Sequence, residues 1–356
     1  MKNPFTHTPG RVGDANINTG FEDIIYENFS YDQPSECVYK ITGIRGSGKT
    51  VIFGNVIRHY KSSEMIKEGW LAYDLTSTGD PTRTLTSYLL LVPEVKKALL
   101  KEKIDISVSV PVVGINAEME SKQELEEEVR LEQLIGILIK AKKKILIGID
   151  DIAKTKEMTR FCSIYAKLLR NTTSEGTPWP VYLICSGVYE NFYKLGEVKN
   201  LTFFKRAAEI HTEPFSMPQV AIKYQDMLDL SEEEAISYAK STKGFAYAYQ
   251  VFGSAYFTHK NKGLDYVLRQ AKSELFGQCY EKIWAELPEG EREILRVLAD
   301  GPKRRKDILE KLSNAGSYQV NSNTLKNIGL LNSESYGEVS ITLPFFGEYI
   351  KKYCLT

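Results

Sequence analysis

The chain has 356 residues, 42% of them hydrophobic, enough to build a core and more than one domain usually needs, so two or three domains are expected. Its 46 Lys/Arg and 46 Asp/Glu cancel to a formal net charge of zero. That balance excludes a protein that engages nucleic acid or an anionic membrane with its whole surface, while leaving room for a local patch. The five cysteines (Cys37, Cys162, Cys185, Cys279, Cys354) lack C-x-x-C spacing, so neither disulfides nor zinc is implied.

The segment from Met1 to Thr6 has no apolar signal region and no run of eighteen apolar residues follows anywhere, which predicts a cytoplasmic protein with no membrane partner. Residues 1–35 are polar and turn-rich, with a helical stretch over 21–29. The alternating run Cys37-Val38-Tyr39-Lys40-Ile41 reads as a strand, and it leads into Gly43-Ile44-Arg45-Gly46-Ser47-Gly48-Lys49-Thr50. This is a complete G-x-x-x-x-G-K-[ST] phosphate-binding loop. Its glycines let backbone N–H groups curl around phosphates, Lys49 reaches the β/γ oxygens, and Thr50 offers its hydroxyl to Mg²⁺. From Val51 the chain continues as a helix whose N-terminal dipole favours the same anion. Residues 43–51 are therefore the expected contacts to ATP or ADP.

Residues 70–75 are the next strand and 82–91 the next helix, giving the βα alternation of a parallel sheet covered on both faces. Residues 103–119 alternate around Pro111 and Gly114 and read as a β-hairpin insertion, either a partner contact or an extension of the sheet edge. Residues 123–140 form a helix with acids at its start and lysines at its end, as the helix dipole prefers.

Lys144 to Asp151 reads as a buried strand closing on two carboxylates. A P-loop holds Mg²⁺ with the help of such an acid. Asp150 is the candidate metal ligand, and Asp151 the group that orients or deprotonates the attacking water. After an amphipathic helix over 157–170, the strand 180–185 closes at Ser186, which either senses the state of the nucleotide or caps the following helix. A short strand over 208–211 follows Arg206.

Beyond the break at Pro214 and Pro218 the pattern is helical to about residue 280, with Ser231 opening a capping box. Residues 281–356 read as three helices (289–298, 303–312, 322–328) and a two-stranded wing, a winged helix-turn-helix. Its third helix would carry Asn321, Asn323, Thr324 and Lys326 outward, and Lys303, Arg304, Arg305 and Lys306 would mark the start of the second. DNA readers use such groups on phosphates and base edges. The module carries eleven Lys/Arg and eleven Asp/Glu, so duplex DNA and a protein partner both remain open.

The order of these elements resembles the prokaryotic AAA+/STAND ATPases related to the Orc1/Cdc6 initiators, over nearly the whole chain. Asn3-Pro4-Phe5-Thr6 is similar to the motif that opens many members, and Ile147-Gly148-Ile149-Asp150-Asp151 to their acidic strand. Thr242-Lys243-Gly244-Phe245-Ala246-Tyr247, with Gln250, resembles the lid motif T-x-G-x-P-x-x-x-Q, and Thr342 to Tyr349 the wing exit. The resemblance implies an α/β P-loop NTPase with an AAA+-like parallel-sheet core (1–213), a helical lid (214–280) and a winged helix (281–356). It also implies Arg206 as an arginine finger acting on a neighbouring copy, the alternative being a surface salt bridge.

Two departures stand out. Ala246 replaces the lid proline, with no arginine beside it to sense the γ-phosphate, and Asp151 stands where typical AAA+ enzymes have the longer Glu. Both point to firm binding and slow hydrolysis of Mg·ATP. The expected function is a nucleotide-dependent switch, either DNA-associated or a STAND-type signalling device with a protein partner.

Overall fold

Five strands, β1 (Val38–Thr42), β2 (Trp70–Thr76), β3 (Lys144–Asp150), β4 (Val181–Gly187) and β5 (Ala208–His211), join in the order β2-β3-β4-β1-β5 in a computed structural model of the chain. The structure describes residues 2–8, 10–102, 117–333 and 337–355. β2 and β3 pair in parallel from Trp70 opposite Lys144 to Thr76 opposite Asp150, and β3 and β4 from Ile145 opposite Val181 to Ile149 opposite Cys185.

The strand period of two sends side chains to alternate faces. Ile145, Ile147 and Ile149 of β3 enter one apolar cluster together with Val181, Leu183 and Cys185 of β4, while Leu146, Tyr182 and Ile184 enter another. The second cluster is closed by α1 (Phe21–Ser30) and α2 (Lys49–Tyr60). The short α3 (Ser63–Lys67), capped by Ser62, then leads into β2. The first cluster takes side chains from α4 (Pro81–Leu90), α5 (Pro93–Glu102), α6 (Ala117–Lys140), α7 (Lys156–Leu168), α8 (Tyr189–Gly196) and α9 (Phe203–Arg206). Each buried Ile, Leu or Val of this double-sided sheet contributes about 1.5–3 kcal/mol, which is why its strands read as near-continuous apolar runs.

Two compact units emerge: a sheet unit of Phe21–Ile41 and Ile52–Ile210, and a loop-and-lid unit of Met1–Gly20, Thr42–Val51 and His211–Thr356. The latter contains α10 (Met217–Leu228), α11 (Glu232–Thr242), α12 (Ala246–His259), α13 (Leu264–Leu275) and, after a π turn over Phe276–Tyr280, α14 (Glu281–Glu286). Reciprocal capping boxes open α10 at Ser216 with Gln219 and α11 at Ser231 with Glu234. The chain continues through α15 (Glu289–Val297), β6 (Lys303–Arg304), α16 (Arg305–Leu309), α17 (Tyr318–Asn327), β7 (Leu331–Ser333), β8 (Glu338–Ile341) and α18 (Phe346–Tyr353). The small strands form an antiparallel sheet in the order β6-β8-β7. One apolar cluster runs unbroken from Phe5, Ala15 and Ile17 through α10–α14 to α15–α18.

Several expectations are corrected. Residues 117–119 lie in α6 rather than in a strand, and the rest of the expected hairpin, 103–116, falls outside the described residues. Lys303 and Arg304 form β6, paired with Val339 and Glu338, instead of starting a helix; their pairing with β8 outweighs local helix propensity. The third helix of the module begins at Tyr318, not Ser322, and Asn321 lies against Gly290 rather than outward. Among the described residues no helix is long and apolar enough to cross a membrane.

Candidate functional site

The phosphate loop leaves β1 at Thr42 and enters α2 at Lys49. Gly43, Gly46 and Gly48 all have positive φ. At Gly46, φ is 84° and an added Cβ would lie 2.9 Å from Phe245 Cζ and 3.0 Å from Tyr247 Cβ, so only glycine suits both the turn and the contact. The Tyr247 amide donates to the Gly46 carbonyl at 3.0 Å. Lys49 Nζ donates to the carbonyls of Gly43 and Ile44, 2.9 Å from each, which draws the ammonium across the mouth of its own loop. Beneath the loop, Thr212 Oγ1 lies 3.0 Å from the Thr42 carbonyl and 2.6 Å from Ser47 Oγ. Its one proton goes to the carbonyl, so it accepts from Ser47.

The lid motif and the N-terminal motif meet in the same unit. Phe5, 4% exposed, sits edge-on to Tyr249 and tilted on Tyr224. The absence of a side chain at Gly253 makes room for it, since a Cβ there would lie 2.3 Å from the Phe5 ring. Asn3 Nδ2 donates to Ser254 Oγ at 2.9 Å, and the Thr6 amide to Gln250 Oε1 at 2.9 Å. The N-terminal segment is thus an extra strap on α12. Cys279 closes the loop from the other side, its Sγ donating to the Arg45 carbonyl across 3.6 Å. Burial pushes this thiol up to about 12 against the opposing pull of Arg45, Lys49 and Lys282, so it stays protonated and keeps its donor.

In the sheet unit, the acid pair is built by β3 and β4. Ser186 Oγ donates to Asp150 Oδ1, and the Asp151 amide is shared between Asp150 Oδ1 at 3.1 Å and Ser186 Oγ at 3.2 Å. The Ile152 amide donates to the Ser186 carbonyl at 2.8 Å. These bonds hold Asp151 at φ 52°, a left-handed conformation that Asp tolerates at some cost and that turns its side chain out of the strand. Ser186 does not cap the following helix: the N-cap of α8 is Val188. Asp74 of β2 belongs to the same neighbourhood. Burial raises its pKa, Lys61 lowers it, and Asp150 raises it again.

No protein-family model and no curated protein matches the sequence. Solved structures do match. A Walker-type ATPase of Pyrococcus abyssi is 14% identical over 94% of this chain and 95% of its own, with a TM-score of 0.57. The Orc2 protein of Aeropyrum pernix, in its ADPNP–ADP complexes, is 14% identical over 99% of this chain and 95% of its own, with a TM-score of 0.56. The chain has the Orc-type P-loop ATPase fold.

Within this fold, Arg206 ends α9, is exposed, and makes no ion pair among the described residues. In the C-terminal module Arg304 reaches Glu338 at 4.0 Å, Lys306 reaches Glu310 at 3.9 Å, and Arg305 lies over the Tyr318 ring. In the loop-and-lid unit, Lys49 and the positive-φ glycines suit phosphate groups, and among the described residues Arg45 Nε is buried with no acceptor; in the sheet unit, the Asp150 carboxylate is an oxygen ligand of the kind Mg²⁺ takes. Among the described residues no cluster of three or more His, Cys, Asp or Glu could hold a metal. Sequence reasoning missed Thr212, Cys279 and Glu286 beside the phosphate loop, and Asp74 beside the acid pair. Thr212 directly follows a predicted strand end, the one signal that could have found it.

Proposed function

We propose that the chain binds Mg·ATP and ADP, hydrolyses ATP slowly, and acts as a nucleotide-dependent switch. The loop carries this reading: three positive-φ glycines and Lys49, its ammonium served by two carbonyls of its own loop, form one anion site. That the Orc2 protein was solved with ADPNP and ADP supports it. Lys49 and the amides of residues 43–51 would bind the phosphates, with Thr50 and Asp150 as the Mg²⁺ ligands. Bound Mg²⁺ neutralises charge building on the phosphate oxygens. Asp151 would orient the attacking water and accept its proton, Ser186 would fix the acid pair and report the nucleotide's state, and Arg206 would act on a neighbouring copy in a homo-oligomer.

In this reading residues 1–213 are the ATPase core, 214–280 the lid and 281–356 the winged helix. Lid and winged helix would move together, because one apolar core joins them. The exposed side chains of Arg304 and Lys306, 70% and 85% accessible, favour a weak duplex DNA contact by the winged helix, shared with Lys303, Arg305 and Lys326. The competing reading is a protein partner with the module as a latch.

Titration with a fluorescent ATP analogue tests the nucleotide site. Lys49→Ala should abolish binding, whereas Asp151→Asn should bind normally and lose turnover; unchanged affinity in Lys49→Ala rules the site out. A DNA shift that weakens steeply with salt supports the DNA contact, and no shift at low salt with micromolar protein decides for the protein partner.

A further inference from the structure

We propose that the side chain of Arg45 reads the nucleotide's phosphates and passes their presence to the turn between α14 and α15 by leaving Glu286. The inference rests on the nucleotide reading above, and every residue in it belongs to the loop-and-lid unit.

Arg45 carries five N–H donors. Nη2 donates to Glu286 Oε1 at 2.9 Å, while among the described residues the buried Nε has no acceptor. A buried donor left unmatched is unfavourable by an amount similar to a whole hydrogen bond, so this guanidinium is short of an oxygen. The loop that bears it is built for one anion, and phosphate offers a planar, charge-assisted match to a guanidinium fork.

Glu286 holds Arg45 weakly. The two side chains are 39% and 51% exposed, the regime in which an ion pair is worth little and is screened by salt. Lys282, one turn earlier on α14, lies near enough to act on the same thiol as Arg45 and Glu286, and it stands ready as the carboxylate's next partner.

The position of Glu286 gives the exchange a consequence. It is the last residue of α14; Leu287, buried, follows it, and Pro288 is the N-cap of α15. The joint is otherwise stapled by Arg292, which donates from Nε to the Trp284 carbonyl at 3.0 Å and from Nη2 to the Ala285 carbonyl at 3.1 Å, and by the Leu287 amide on the Trp284 carbonyl at 3.3 Å. Releasing the Arg45 tether therefore loosens the turn that joins α14 to α15.

The test uses the full chain, N-methylanthraniloyl-ATP with Mg²⁺, and the variants Arg45→Ala, Glu286→Gln and both together. Glu286→Gln alters an exposed group and should tighten binding about two- to five-fold, the worth of a surface ion pair. Arg45→Ala should weaken it about ten-fold or more, the worth of a charged hydrogen bond. The double variant should bind no tighter than Arg45→Ala alone, a non-additivity that a purely structural role would not produce. In the wild type, hydrogen exchange at the Leu287 amide should rise on adding the analogue, and in Arg45→Ala it should not. Equal effects of Glu286→Gln with and without Arg45, or unchanged affinity in Arg45→Ala while Lys49→Ala loses binding, overturn the proposal and spare the nucleotide reading. A wild-type chain that fails to bind the analogue overturns both.

Discussion

Asp150 and Ser186 lie at the ends of the neighbouring parallel strands β3 and β4, and the bonds between them and the Asp151 amide hold the three together. Lys49 and Gly46 sit in a loop whose surroundings are supplied by Phe245, Tyr247 and Cys279, far along the chain, and by Thr212 below. The acid pair is thus set by bonds within the sheet unit itself. The loop takes its shape from helices that also pack on the N-terminal strap and the C-terminal module, so anything that shifts those helices shifts the loop. The proposed switch would use both, with chemistry on the sheet unit and sensing on the part whose contacts can be exchanged.

The harshest way to break this comparison is Phe5→Ala. Phe5 is wedged among Tyr224, Tyr249 and Gly253, and truncating a buried Phe costs about 3–5 kcal/mol. Faster hydrogen exchange is expected in α12 and weaker binding of the ATP analogue at the loop, with exchange in β3 unchanged. Equal acceleration in β3 would mean that the two units do not hold their cores separately.

The contrast also separates what the sequence makes legible from what it hides. β3, β4 and the phosphate loop announce themselves because strand alternation, buried apolar runs and glycine spacing are local. The partners of the loop are not local: Phe5 packs on Gly253 and Tyr247 bonds Gly46 only because tertiary folding joins distant segments. β6 is two residues long and exists through its pairing with β8, which no periodicity reveals. The helix α18 starts after Phe345, held at φ 58°, with none of the Ser, Thr, Asp or Asn caps by which a helix start is recognised. Asp151 hides in another way, since its strained backbone is imposed by Ser186 and by no turn motif of its own.

Ser186→Ala probes that strain with a smaller effect. It removes the donor to Asp150 and one acceptor of the Asp151 amide while leaving the other, so the loss of stability should be about 1 kcal/mol. Affinity for the ATP analogue should hold and turnover should fall as Asp151 drifts from its position. A fall in affinity with unchanged turnover would instead place Ser186 among the binding groups and erase the division of labour between strand end and loop.

Asp74 gives the smallest and sharpest reading of the acid pair. Burial is the largest cause lifting its carboxyl above the ordinary value of 3.8; Lys61 pulls it down, and Asp150 pushes it up. An acid raised in the folded state binds its proton more tightly there. Its stabilising contribution is therefore present below pH 3.8 and is lost as pH rises through the folded-state value. Asp150 is one of the groups that raise Asp74, so Asp150→Asn must lower the Asp74 pKa toward 3.8. Lys61→Gln must raise it. Carboxyl carbon NMR across an acid titration measures both. An Asp74 that titrates identically in wild type and Asp150→Asn would show that the two carboxylates do not share a field, and the sheet end would then lose its claim to act as one prearranged acidic group.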